Sequence, residues 1–198
     1  MQNVTFDPER HEYRVNGVIV PSVTQILAGA GVSDYSNIPP EVLQRAAERG
    51  SLVHTYIEWY EDGTLDESSI DPALRGYFES YLRAKDAGLL PEKPSAVEKL
   101  VYSDMLSYAG TLDQLYDNDW INDIKTGRPQ PEHELQVSAY WVALRGALFE
   151  HSRKLTDTYL HKDGTIADVV EQKYQPILWC DCVAIYDWKK KHGKIKND

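Results

Sequence analysis

The sequence predicts a mixed α/β (α+β) domain. Three observations predict it: apolar residues at helical spacing through much of the first ninety residues, three consecutive strand-like segments across 96–125, and a helix–strand–helix ending. A chain of 198 residues suits one domain, 1–198, with an N-terminal hairpin and helical part (1–94) and a sheet core with a C-terminal helix (95–198). Its 42% hydrophobic and 26% charged residues exclude disordered, collagen-like and coiled-coil chains.

The elements follow in order. Asn16-Gly17 is a strong two-residue turn signal between strands 11–15 and 18–20. Pro21 ends the second strand, and Ser22 stands where a helix N-cap belongs, ahead of Val23, Ile26 and Leu27. Pro39-Pro40 opens a second helix reaching about Glu61, on which Val42, Leu43, Ala46, Ala47, Val53, His54 and Ile57 recur at helical spacing. An acidic stretch, 61–71, holds five acids and no base. Asp71-Pro72 starts a third helix that Gly88 closes. After Pro91 and Pro94 come strands over 96–102, 109–116 and 120–125, a long helix over 132–149, a strand over 156–161 and a final helix over 176–191. That helix runs into a tail with five lysines in the last ten residues, read as a solubilising end or, as a minority reading, a basic arm for a phosphate backbone.

Several classes fall away. No apolar run is long enough to span a bilayer, and MQNVTFDPER lacks a secretory pattern, so a cytoplasmic protein without a membrane partner is expected. Cys180 and Cys182 are the whole cysteine inventory, too few for a disulfide scaffold, a four-cysteine zinc site or an iron–sulfur cluster. No Gly-rich phosphate loop or nucleophile elbow is present. A net charge of −10 argues against a broad basic nucleic-acid-binding face.

The informative stretch is Gly110-Thr111-Leu112-Asp113, then Asp117-Asn118-Asp119, then Asp123-Ile124-Lys125-Thr126-Gly127. A turn centred on Asn118 pairs residues whose numbers sum to 236, which sets Asp113 opposite Asp123, with Lys125 two residues on and on the same face. Facing carboxylates repel unless a cation lies between them. Hard divalent cations such as Mg²⁺ take carboxylate and carbonyl oxygens, and the Ile124 carbonyl is near enough to contribute. A neighbouring lysine can orient or deprotonate water, or neutralise a developing oxyanion. Glu98 adds a third acid on the preceding strand. His54 and Glu58 share a helix face after Arg49-Gly50, and Gln136 and Tyr140 share another.

This ordered set, Arg49-Gly50-x-x-x-His54, Glu98, Gly110-x-x-Asp113, Asp123-x-Lys125-Thr126-Gly127 and Gln136-x-x-x-Tyr140, resembles the PD-(D/E)XK nuclease superfamily in its RecB-like exonuclease branch. Pro21-Ser22-Val23-Thr24-Gln25-Ile26-Leu27 is similar to the motif opening the nuclease core of the mitochondrial genome maintenance exonuclease and its phage-encoded relatives. The resemblance covers roughly residues 6–188, and its specificity lies in the order of the set.

The resemblance implies a restriction-endonuclease-like core, a central mixed sheet flanked by helices, with an N-terminal helical wall or arch. It implies a Mg²⁺-dependent deoxyribonuclease, with Mn²⁺ able to substitute and no iron–sulfur cluster. This would be an exonuclease acting on DNA ends, favouring single strands, in recombination, repair or replication within a bacterial or phage-infected cell. Asp113, Asp123 and Lys125 would be catalytic. Asp113, Asp123, the Ile124 carbonyl, Glu98 and His54 would hold metal, and Ser22, Thr24, Arg49, Gln136 and Tyr140 would meet DNA. Tyr56, Tyr60, Tyr77 or Tyr81 on the helical wall would offer stacking faces to a threaded strand. With no helicase half, unwinding would come from a helicase or single-strand annealing partner. A structure-specific endonuclease and a non-catalytic DNA-binding recombination accessory are the rival readings. The acidity is compatible with DNA, because a bound cation restores positive charge where phosphate approaches.

Overall fold

The computed structural model describes residues 3–146 and 153–195. Strands β1 (Val4–Asp7), β2 (Glu12–Val15) and β3 (Val18–Val20) form an antiparallel sheet; β1 is an addition to the expected hairpin. Ser22 then caps α1 (Val23–Ala30) as expected: its Oγ accepts from the Gln25 N–H at 3.0 Å while Gln25 Oε1 accepts from the Ser22 N–H at 2.9 Å. Helix α2 (Pro40–Glu61) has the expected bounds, whereas α3 (Arg75–Asp86) begins after the Asp71-Pro72 turn rather than at it. In that turn the Asp71 carboxylate holds the Ala73 N–H at 2.8 Å.

The main sheet has the order β4-β5-β6-β7-β8, comprising β4 (Ala96–Ser103), β5 (Tyr108–Tyr116), β6 (Trp120–Lys125), β7 (Lys154–Tyr159) and β8 (Asp168–Glu171). Among the described strands of this sheet β6 and β7 pair in parallel, joined across helix α4 (His133–Arg145), and the other pairs are antiparallel, so the sheet is mixed. Edge strand β8 has no periodic apolar pattern and was not expected. Helix α4 ends at Arg145 because Gly146 takes the left-handed conformation, φ +65°; the residues once expected to extend it, 147–149, lie outside the described residues, as does Lys196 of the tail. Helix α5 (Pro176–Lys191) closes the chain.

Helices cover both faces of the sheet. Trp141 and Trp179 are fully buried with α1, α4 and α5 in one core, alongside Leu112, Ile121 and Leu155. Val53, Ile57, Phe78 and Tyr81 of α2 and α3 pack over Ile124 and Leu160 in a second. This helical wall is fastened to the sheet by buried polar groups: Tyr81 Oη donates to Glu61 Oε1 (2.6 Å) and accepts from Gln114 Nε2 (2.6 Å), and Asn122 Nδ2 donates to Gln114 Oε1 (2.9 Å). Lys85 neutralises Glu61 there. A satisfied buried network of this kind permits one packing of helix on sheet and penalises slippage. No helix among the described residues is long and apolar enough to cross a membrane.

Candidate metal centre

The site forms where β5 and β6 part. Their ladder comprises Gln114↔Asn122, Leu115↔Ile121 and Tyr116↔Trp120, the register expected from the turn at Asn118, and it ends there. Beyond it the Ile124 backbone faces a gap. Its N–H donates to Asp113 Oδ2 at 2.6 Å, and its carbonyl accepts from His54 Nε2 at 3.0 Å. Two side chains distant in sequence thus take the hydrogen bonds a neighbouring strand would otherwise make. The β4–β5 ladder is also interrupted here. Val97↔Gln114 and Lys99↔Leu112 bracket Glu98, whose φ of +45° lies in the left-handed region that non-glycine residues rarely enter.

Helix α2 delivers His54 on a polar stripe, Ser51, His54, Thr55 and Glu58, at i, i+3, i+4 and i+7, while Val53, Tyr56 and Ile57 face the core. With Nε2 donating to Ile124, the lone pair of the neutral ring is on Nδ1, 3.4 Å from Glu98 Oε1 and 3.6 Å from Asp113 Oδ1. One nitrogen and two carboxylate oxygens, all within 4.8 Å of one another, form a donor set that fits a divalent cation. A ring nitrogen fixed by a backbone carbonyl is the arrangement that orients a ligating histidine. Burial works against an imidazolium at His54, but Asp113, Glu98 and Asp123 prevail and raise its pKa to about 9. Burial and the proximity of Asp123 push the Asp113 carboxyl well above its ordinary range, only partly offset by His54.

Asp123 is arranged differently from the expected facing pair. The β5–β6 ladder stops at Gln114↔Asn122, so Asp113 and Asp123 are not ladder partners although they still repel, and the Asp123 carboxylate, 2% exposed as a residue, pairs with Lys125 on its own strand face. Lys125 Nζ also donates to Gln136 Oε1 at 2.7 Å, and Gln136 Nε2 donates to Tyr140 Oη at 3.0 Å. The expected i, i+4 pair on α4 therefore acts as a clamp on the lysine. Burial alone would favour a neutral amine at Lys125, but Asp123, Asp157 and Asp113 hold it as a cation and raise its pKa. In the metal-free site the lysine is therefore held in its charged form.

A cavity of about 600 Å³ opens over the centre. Asp113, Glu98, His54, Ser22, Thr24 and Tyr140 line it; Asp123, Lys125 and Gln136 lie beside it without lining it. Ser22 Oγ and Thr24 Oγ1 are 3.0 Å apart at the start of α1, where the helix dipole favours an anion. The ring of Tyr140 fits over the sheet because residue 110 is glycine: a Cβ there would meet Tyr140 Cε1 at 2.7 Å. Arg49 is placed elsewhere, with Nε 3.5 Å from Thr126 Oγ1 and its guanidinium 5.8 Å from the Tyr77 ring centre. Three of the four expected stacking tyrosines are buried. Tyr56, Tyr77 and Tyr81 are at most 8% exposed, and Tyr60 is half-buried against Phe78, because these rings fill the space between α2, α3 and the sheet.

Sequence reasoning missed Asp157. It pairs with Asp123 across the parallel β6–β7 ladder. Asp157 is 0% exposed, and its Oδ1 has no hydrogen-bond partner among the described residues. Tyr159 Oη donates to its Oδ2 at 3.3 Å and itself lies 2.9 Å from His133 Nδ1, a histidine without a usable sequence pattern. An acid in the middle of a strand buried on both faces, Leu155-Thr156-Asp157-Thr158-Tyr159, was the available signal. Burial, then Asp123, raise the Asp157 pKa from 3.8 to about 7. The native state thus holds a proton that the unfolded chain releases, so this group costs stability progressively as pH rises from about 4 to about 7. Asp157→Asn is expected to remove that slope. In metal-free buffer, the stability of the variant relative to wild type, from urea titrations, should rise between pH 4.5 and 8; a constant difference would contradict a protonated Asp157.

No protein-family model matches the chain, and no curated protein matches it. Among solved structures it is similar to the alkaline exonuclease LHK-Exo from Laribacter hongkongensis, at 15% identity and a TM-score of 0.40 over 88% of this chain and 94% of that one. It is also similar to LHK-Exo in complex with dAMP, at 16% identity and a TM-score of 0.42 over 89% of this chain and 95% of that one.

Proposed function

We propose that the chain is a metal-dependent deoxyribonuclease, an exonuclease acting on DNA ends. The observation that carries this reading is the convergence of His54 Nδ1, Glu98 Oε1 and Asp113 Oδ1 in an open cavity, with Lys125 clamped beside them. His54, Glu98 and Asp113 would hold the cation, with Asp123 and the Ile124 carbonyl next to them. When bound, a divalent cation supplies Lewis-acid charge at the scissile phosphate and acidifies the attacking water. Lys125 would orient or deprotonate the attacking water, or neutralise charge developing on the phosphate. Gln136 fixes the lysine's position, and the first turn of α1, with Ser22 and Thr24, offers donors to phosphate oxygens. The mixed nitrogen–oxygen donor set suits Mn²⁺ at least as well as Mg²⁺.

The decisive assay incubates end-labelled single-stranded, double-stranded and closed circular single-stranded DNA with Mg²⁺ or Mn²⁺ against an EDTA control. Metal-dependent loss of linear DNA with sparing of circles is expected; cleaved circles favour the endonuclease reading, and no cleavage of any substrate sinks the enzyme. Because a proton must leave His54 for the metal to bind, apparent Mn²⁺ affinity from calorimetry should strengthen up to about tenfold per pH unit below about pH 9. A flat profile between pH 6 and 8 would remove His54 from the ligand set.

A further inference from the structure

Part of the cavity lining is aromatic, and none of the roles above uses it. It comes from the N-terminal sheet. Phe6 and Tyr13 are cross-strand partners in the β1–β2 ladder, with ring centres 4.5 Å apart and planes at 31°. His11 stands edge-on to Phe6 at 5.3 Å and to Tyr13 at 6.2 Å. All three line the cavity that holds His54, Glu98 and Asp113.

Two features distinguish this cluster from ordinary core. First, it is anchored from below and open above. Tyr13 is 5% exposed and shares a 2.8 Å hydrogen bond with Thr111 on β5, two residues from Asp113, whereas Phe6 is half-buried and His11 exposed. Second, the turn that carries His11 is strained and braced. His11 has φ +52°, a left-handed backbone at a non-glycine residue, and Asp7 Oδ1 accepts from both the Glu9 and Arg10 N–H groups (3.0 and 3.2 Å). An exposed ring held this way at a cavity mouth points to a binding role.

We propose that Phe6, backed by Tyr13 and with His11 standing edge-on beside it, forms an aromatic corner in which the nucleobase of a nucleotide flanking the scissile phosphate stacks on one ring and abuts the other. The cavity is then divided by chemistry. Carboxylates, His54 and the α1 N-terminus serve the phosphate end, and aromatic faces serve the base. Its volume of about 600 Å³ falls in the range of sites that hold one small ligand. Stacking reads the π-face that every base has, so the corner gives affinity without sequence preference. The inference rests on the deoxyribonuclease reading and supplies the stacking surface that the buried helical tyrosines cannot.

The test uses the full chain with Mn²⁺ and linear oligonucleotides carrying a stable abasic residue at each of the two positions flanking the first scissile phosphate. Wild type is expected to prefer the base-bearing oligonucleotide by about 10–100-fold at one of these positions, chiefly through KM. Phe6→Leu and His11→Ala should shrink that preference to a few-fold, and Phe6→Trp should restore it. His11 is exposed, so its variant keeps the test valid if Phe6→Leu proves unstable. Equal cleavage of intact and abasic substrates by wild type, or variants that slow both equally, overturns the aromatic corner while leaving the nuclease standing. Absence of cleavage of either substrate by wild type removes the nuclease reading and the corner with it.

Discussion

Asp113→Asn is expected to abolish metal-dependent DNA cleavage, by 10²–10³-fold or more, and to make the metal-free protein more stable than wild type at neutral pH. Both effects come from one carboxylate. Asp113 is 6% exposed, beside Asp123 and Glu98, and its charged form is disfavoured by that burial and by those neighbours. An amide removes the repulsion, and its oxygen can still accept from the Ile124 N–H, so the fork between β5 and β6 keeps its hydrogen bond. On the proposed function a bound cation would reverse this repulsion, a stability–function conflict typical of functional sites. Thermal melts with EDTA and with Mn²⁺ would check this. Wild type should gain stability from Mn²⁺ and the variant should not. A variant that melts below wild type in EDTA, or gains as much from Mn²⁺, would contradict Asp113 as a repelled ligand.

Lys125→Met is expected to cost roughly 3–5 kcal/mol of stability at pH 8 as well as most of the activity, because it strands the Asp123 carboxylate without its cation. Asp157 loses the same neighbour. Its carboxyl, already near pKa 7, becomes harder to ionise, and protonation at lower pH relieves the unpaired charge. The stability gap between wild type and variant should therefore narrow from pH 8 to pH 5. Urea unfolding at the two pH values would measure it. A variant as stable as wild type at pH 8 would show that Lys125 carries no structural charge compensation. Lys125→Arg should retain much of the stability while losing the Nζ–Gln136 geometry and with it most of the rate.

The register of the β5–β6 hairpin was legible because a tight turn fixes pairing by counting: Asn118 and Asp119 have φ of +61° and +60°, and the pairs fall where the count places them. The Ser22 cap, α2 and the Gln136–Tyr140 stripe were legible for the same reason, since each depends on residues within about one turn of chain. Tyr56, Tyr77 and Tyr81 misled because helical spacing reports which residues share a face, and not whether that face meets solvent or a second helix. Asp157 stayed hidden because its partner strand pairs with it across α4, a crossover that no local pattern encodes.

The sequence by itself thus determined the elements, the hairpin register and the roster of polar groups, because propensity, capping and turn counting act over a few residues. Tertiary structure decided how those groups meet. The docking of His54 into the gap left by β5 and the folding of the N-terminal aromatic sheet over the same cavity join residues 70 and 98 positions apart. Such contacts are set by how helices and strands close over a shared core, a property of the whole packed chain and of no single segment within it.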